Sequence, residues 1–352
     1  MKLFFFDESN SLTDIEKFKN IKIITFDHKS HVLLQNNHIE HQISDEFLDK
    51  QISKEITKRN YELIHWYNLE IIKEKLTFHK VNIPKLFTDE FTSSLLKILK
   101  KIIEIKTIYK KYANMEIIAS SELYEISKIF TTSVIKIEKN TNEKFYFDEI
   151  NSSFRIGNKE IDFKISNKNY QKLKQIFENI FTVINRNRID QTKNFTLLLE
   201  LNIEQFENFL IESKNKEMPI SYYGTRRPPI WNKNTFDIIR KSGCNIISKS
   251  KIMEKNHNVE IKKNTKKYLK IFNEILDEKI LENYFNIFNV CIWSVVKKKI
   301  KELIEPRLKL VIEEIILGEN LLKKYPPKSI VMISEAGRSE QIISTLAKKY
   351  DD

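Results

Sequence analysis

The chain has 352 residues, of which 41% are hydrophobic and 31% charged, a balance that suits an ordinary globular protein with a large core and excludes a disordered tail or a membrane bundle. Its net charge of +12 permits a nucleic-acid, membrane-surface or anionic-substrate partner. However, Lys, Asn and Ile are abundant throughout, and the lysines alternate with glutamates as on solvated helix faces. Cys244 and Cys291 lie far apart and outside any CxxC spacing, which argues against a disulfide framework or a thiolate zinc site.

The amino terminus opens with KLFFFDES (2–9), where Leu3 to Phe6 meet Asp7 at once, so no signal-peptide core forms. KIITFDHKSH (22–31) repeats the same grammar: a β-rich apolar run, polar residues, then a helical pattern. A short strand is expected at 40–43. A helical block over 48–112 includes SLLKILKKIIEIKTIYKKY, whose Leu, Ile and Tyr positions form an apolar stripe beside a lysine face. MEIIASSEL (115–123) is a third strand-to-helix unit.

Between 144 and 165, FYFDEINSSFRIGNKEIDFKI alternates and carries Asn-Ser-Ser and Gly-Asn turn signals, predicting a small antiparallel meander. Strands follow at 195–200, in ISYYGTRRPP (220–229), and at 244–247 after the helix stop Ser242-Gly243. A second helical block spans 260–325, with Tyr268, Phe272, Ile275 and Leu276 on one face and Pro306 kinking or splitting a later helix. FNVCIWSVV (288–296) within it is far too short to span a bilayer. SIVMISEAGRS (329–339) ends the series as strand, loop and helix. The expected fold is α/β: a Rossmann-like parallel sheet with helices on both faces, a small β-meander and large helical insertions.

In one parallel sheet all strand-to-helix junctions share an edge. That edge would gather Asp7 and Glu8, Asp27 with His28 and His31, Ser120, Ser121 and Glu122, Arg226 and Arg227, and Glu335 with Arg338. Carboxylates, imidazoles and guanidiniums in one cleft suit acid–base chemistry on a hydroxylated, phosphate-bearing substrate. The same Asp and Ser residues also fit helix caps. In the loop from Gly224 to Asn232, paired prolines stiffen the chain and hold two arginines before Trp231, which can stack on a ring.

His28, His31, His38 and His41 form two H-x-x-H pairs, but a helix-to-strand reversal should point the pairs apart, and no metal is expected. The five glycines, at 157, 224, 243, 318 and 337, build neither G-x-G-x-x-G nor a P-loop. No cofactor is expected.

The succession IITFDHKSHVLLQNNHIEHQISDEFL, RRPPIWNKNTFDIIRKSGCNII and KYPPKSIVMISEAGRSEQIISTLAKKY resembles the amino-terminal half of large archaeal and bacterial surface-polysaccharide proteins, which are similar to glycosyltransferases of the two-Rossmann-domain (GT-B) architecture. The resemblance covers most of the chain through loose patterns. It implies that residues 1–352 are one acceptor-side domain, that a donor-binding domain would follow, and that the isolated chain neither transfers sugar nor binds a nucleotide-sugar. The partners implied are a nucleotide-sugar donor, through that second domain, and a glycan or lipid-linked acceptor.

On this reading Glu335 is the catalytic base. Arg226, Arg227, Trp231, Arg338, Asp7, Asp27, His28 and Glu122 bind substrate. The expected location is the cytoplasm, with room for peripheral contact at the inner face of the membrane. Two further readings stay open: a noncatalytic protein binding nucleic acid or a membrane surface through lysine-rich helices, with nucleic acid the less expected, and a sugar-nucleotide epimerase-like enzyme of the same architecture.

Overall fold

The structure, a computed structural model, describes residues 2–113, 115–138, 149–156, 159–166, 169, 172, 194–226, 229–230 and 232–348. The chain divides into two compact units, each discontinuous in sequence: Met1–Leu76 with Pro84–Asn142 and Tyr268–Arg307, and Thr77–Ile83 with Glu143–Lys267 and Leu308–Asp352. Both contain a parallel sheet.

In the first unit the strands are β1 (Lys2–Phe6), β2 (Ile21–Thr25), β3 (Gln42–Ile43), β4 (Glu116–Ser120) and β5 (Val134–Ile137). They lie in the order β3-β2-β1-β4-β5, all neighbours parallel. The unbroken Leu-Phe-Phe-Phe run makes β1 the central strand, because a strand covered on both faces needs apolar side chains on both; Leu3 to Phe6 are fully buried. Strand β5, in a stretch to which no element was assigned from the sequence, is short and half-exposed.

Helix α1 (His28–Asn36) follows β2 directly, with Asp27 as its cap. Helix α2 (Thr88–Lys111) buries Phe91, Leu95, Ile98, Leu99, Ile102, Ile105 and Ile108, the stripe expected from the sequence. Asp89 and Glu90 in its first turn and Lys110 and Lys111 in its last complement the helix dipole. Helix α3 (Ser121–Ser127) begins where β4 stops.

In the second unit β6 (Thr196–Leu199), β7 (Ile220–Tyr223), β8 (Asn245–Ile246) and β9 (Ser329–Val331) form a sheet in the order β8-β7-β6-β9, again parallel. Helix α4 (Lys233–Ser242) starts on an Asn232 capping box and stops at Gly243, whose φ of 70° is the left-handed conformation a glycine supplies without strain. Helices α5 (Leu308–Lys324) and α6 (Arg338–Ala347) meet at Gly318, where a β-carbon would lie 3.0 Å from Ile343 Cδ1.

The region expected as a meander holds two paired antiparallel strands, Glu149–Ile156 and Lys159–Ser166; its expected residues 144–148 and Gly157-Asn158 fall outside the described residues. Pro306 sits in a 3-10 turn that divides the second helical block between Trp293–Ile304 and Leu308–Lys324. Arg307 closes the first of these by donating to the Leu303 carbonyl at 2.9 Å. Among the described residues no helix is long and apolar enough to cross a membrane.

Candidate functional site

The expectation of one shared edge is corrected by the topology: the strand ends belong to two sheets, one in each unit. Asp7, Asp27, His28 and Glu122 lie at the carboxyl edge of the first. Arg226, Glu335 and Arg338 lie at that of the second. Arg227 and Trp231 are outside the described residues.

In the first unit the strand order reverses between β1 and β4, and such a switch point opens a crevice because the chains leaving the two strands diverge. The residues there are Asp7 to Asn10, after β1, and Ser120 with Ser121, at the end of β4. Asp7 is 8% exposed. Its Oδ1 accepts from Ser9 N at 3.0 Å and from Ser9 Oγ at 2.5 Å. Ser9 Oγ is in turn 2.7 Å from Ser120 Oγ.

Asn10 Oδ1 accepts from Asp7 N at 3.0 Å and from Ser120 Oγ at 3.2 Å. Its Nδ2 is buried with no partner among the described residues. Ser121 adopts a φ of 47°, in the region sparsely populated by residues other than glycine and common where a site constrains the backbone.

Burial drives the Asp7 carboxyl above its ordinary range; the Ser9 hydrogen bonds and the Lys101 charge oppose this, and the neighbouring Asp27 charge adds to it. Asp7 Oδ2 has no hydrogen bond among the described residues, so one carboxylate oxygen remains for a ligand. Asp27 is engaged at both oxygens: Oδ1 accepts from Ser30 N at 2.8 Å, and Oδ2 from Glu8 N at 2.9 Å and Ser30 Oγ at 2.7 Å. It caps α1 and ties the loop after β1 to that helix. Glu122 accepts from Lys101 Nζ at 2.8 Å. His28 is exposed on the first turn of α1.

In the second unit the switch point lies between β6 and β9. Arg226, after β7, is paired with Glu340, on the first turn of α6, and its Nε is 3.7 Å from Glu200 Oε2. Glu200, the first residue beyond β6, also accepts from the Thr225 backbone N–H, from Thr225 Oγ1 at 2.7 Å and from Arg226 N at 3.2 Å. Burial pushes the Glu340 carboxyl up; its own backbone N–H and Arg226 counteract this, and the Glu200 charge reinforces it. Arg338 forms a two-point contact with Glu314, at 2.7 and 3.1 Å. Glu335 is exposed and accepts from Ser344 Oγ at 3.0 Å. Both arginines therefore have carboxylate partners inside the protein.

Sequence reasoning passed over Asn10, Glu200 and Glu340. Glu200 had a usable signal, a carboxylate directly after the apolar run TLLL. Glu340 reads only as an ordinary helix residue.

The histidines also depart from expectation. His31 and His41 do not point apart: His31 Nδ1 is 2.8 Å from His41 Nε2, and His41 Nδ1 is 2.7 Å from the Ile39 carbonyl oxygen. Among the described residues no three His, Cys, Asp or Glu side chains are grouped as a metal site. The chain matches no protein-family model, no curated protein and no solved structure.

Proposed function

We propose that the chain is a glycosyltransferase-like protein of surface-glycan synthesis, supplying the side that binds a glycan or lipid-linked acceptor while a nucleotide-sugar is the donor. Asp7 carries the reading. It is a buried carboxyl group at the switch point of a parallel sheet, with its charged form disfavoured by burial and one oxygen uncommitted among the described residues, and a titratable group perturbed by burial at such a crevice is a functional-site candidate. Asp7 Oδ2 accepts a hydrogen bond from an acceptor hydroxyl. The Ser9 and Ser120 hydroxyls and the Asn10 amide hold the loop in register and offer further polar contacts.

The role assigned to Glu335 from the sequence receives less support, since that carboxylate is exposed and already accepts from Ser344. The test is binding of the whole chain to an immobilised panel of oligosaccharides and lipid-linked sugars, with Asp7→Asn as the paired variant. Retention of at least one glycan by the parent, weakened about tenfold or more in the variant, supports the proposal; that loss is about 1.4 kcal/mol. Absence of any glycan that separates the two proteins removes it. Micromolar binding of a nucleotide-sugar in calorimetry would instead place the donor pocket in this chain.

A further inference from the structure

The first unit contains a histidine relay whose proton positions follow from geometry. A carbonyl oxygen can only accept, so the 2.7 Å contact to Ile39 O places the proton of neutral His41 on Nδ1. His41 Nε2 is then a lone pair. The 2.8 Å contact to it must be donated by His31 Nδ1, which leaves the lone pair of His31 on Nε2. That nitrogen has no hydrogen-bond partner among the described residues and does not belong to the buried unpartnered atoms. One imidazole thus orients another and fixes which nitrogen it presents, as the orienting partner does in catalytic dyads and triads.

His31, in the first turn of α1, lies at the sheet edge that carries Asp7. Asp27 joins the loop after β1 to α1 through Glu8 N, and His31 N donates to Asp27 O in the first turn of that helix at 3.1 Å. His41 immediately precedes β3, whose Gln42 pairs with Ile24. His28 is the other imidazole beside His31, with ring centroids 6.4 Å apart.

We propose that His31 is the proton acceptor of this edge, acting through Nε2 on a hydroxyl-bearing substrate, and that His41 is its positioning residue. The proposal rests on the acceptor reading above. In the step it describes, the acceptor O–H proton passes to His31 Nε2 and the oxygen's electron pair forms a bond to the anomeric carbon of a nucleotide-sugar. The bond from that carbon to the phosphate oxygen breaks, and its electrons leave with the nucleotide. His31 becomes an imidazolium whose Nδ1–H bond to His41 is strengthened by the charge.

The test reads the relay without requiring a substrate. Long-range proton–nitrogen NMR of the full chain at neutral pH should show His31 and His41 protonated on Nδ1 and bare on Nε2. Diethyl pyrocarbonate, which acylates an unprotonated ring nitrogen, should modify His31 several-fold faster than the exposed His38. His41→Phe should bring His31 down to the His38 rate, and His41→Gln, which keeps an acceptor oxygen, should restore much of the difference. A proton found on His31 Nε2, acylation no faster than at His38, or indifference to His41→Phe overturns the proposal. If the glycan panel fails while His31 keeps its fast, His41-dependent acylation, the acceptor reading falls and takes the base role with it, and only the orientation of His31 by His41 stands.

Discussion

Glu200 and Glu340 grip a single guanidinium, that of Arg226, although they come from a strand end and a helix start 140 positions apart. Both carboxylates are almost wholly buried, whereas the arginine is half-exposed. Removing the arginine leaves two buried acidic groups without their cation, and breaking a buried pair from one side typically costs about 3–5 kcal/mol. Arg226→Ala is therefore expected to lower stability in urea titration by an amount towards the lower end of that range, because half of the guanidinium is in water. Adding Glu340→Gln to the alanine variant should recover part of the loss by eliminating one orphaned charge. A double variant no more stable than the single one would refute the coupling.

The carboxyl of Glu104, on α2, is 1% exposed and is pushed up to about 7, chiefly by burial, with Lys100 opposing and Asp45 contributing to the rise. Its folded-state pKa lies above the ordinary value of 4.5, so folding favours the protonated form. The associated stabilisation is fully present below about pH 4.5 and is lost as pH rises to about 7. Glu104→Gln, neutral at every pH, should behave like the parent at pH 4 and become the more stable protein by about 3 kcal/mol at pH 8. Melting temperatures of the two proteins measured across that interval provide the check, and parallel curves would count against a buried, neutral Glu104.

Asp7 offers a trade of stability against binding. Because burial raises its pKa, folding favours the protonated form, a contribution present below the ordinary carboxylate range and lost as pH rises above it, so Asp7→Asn should raise the melting temperature at neutral pH while leaving it nearly unchanged in acid. The same substitution should weaken glycan retention. A variant that lost stability at pH 7 would mark Asp7 as a structural cap whose charge the fold requires.

Gly318 lets α5 approach α6. A β-carbon would stand 3.0 to 3.2 Å from Ile343, Ile342 and Leu346, so Gly318→Val overfills a closed contact at an expected cost of about 1–3 kcal/mol. Pairing it with Ile343→Val should return part of that cost, as measured by chemical denaturation. Failure of the pair to improve on the single variant would argue that the helices simply move apart.

The sequence by itself determined the α/β class and the positions of most strands of the two parallel sheets. Runs such as KLFFF and TLLL are apolar on both faces, and each is followed by polar residues and a helical period, so local chemistry alone names the element. Gly243 and Pro306 likewise announced a helix stop and a helix break because their constraints are local to the backbone. Strand β5 escaped because it is short and half-exposed, and its side chains carry no strong alternation.

What only the tertiary structure decided was which strand ends meet. Hydrophobic periodicity says that a strand is buried but not which sheet buries it, and two sheets of like topology leave the same local pattern in sequence. The assignment of Asp7 and Arg226 to different sheets and the Glu200 and Glu340 pair around one arginine follow from long-range strand pairing, and the turn of His31 towards His41 follows from the pairing of β2 with β3. A contact between residues far apart in the chain is fixed by register and crossover geometry, for which the individual residue types carry no signal.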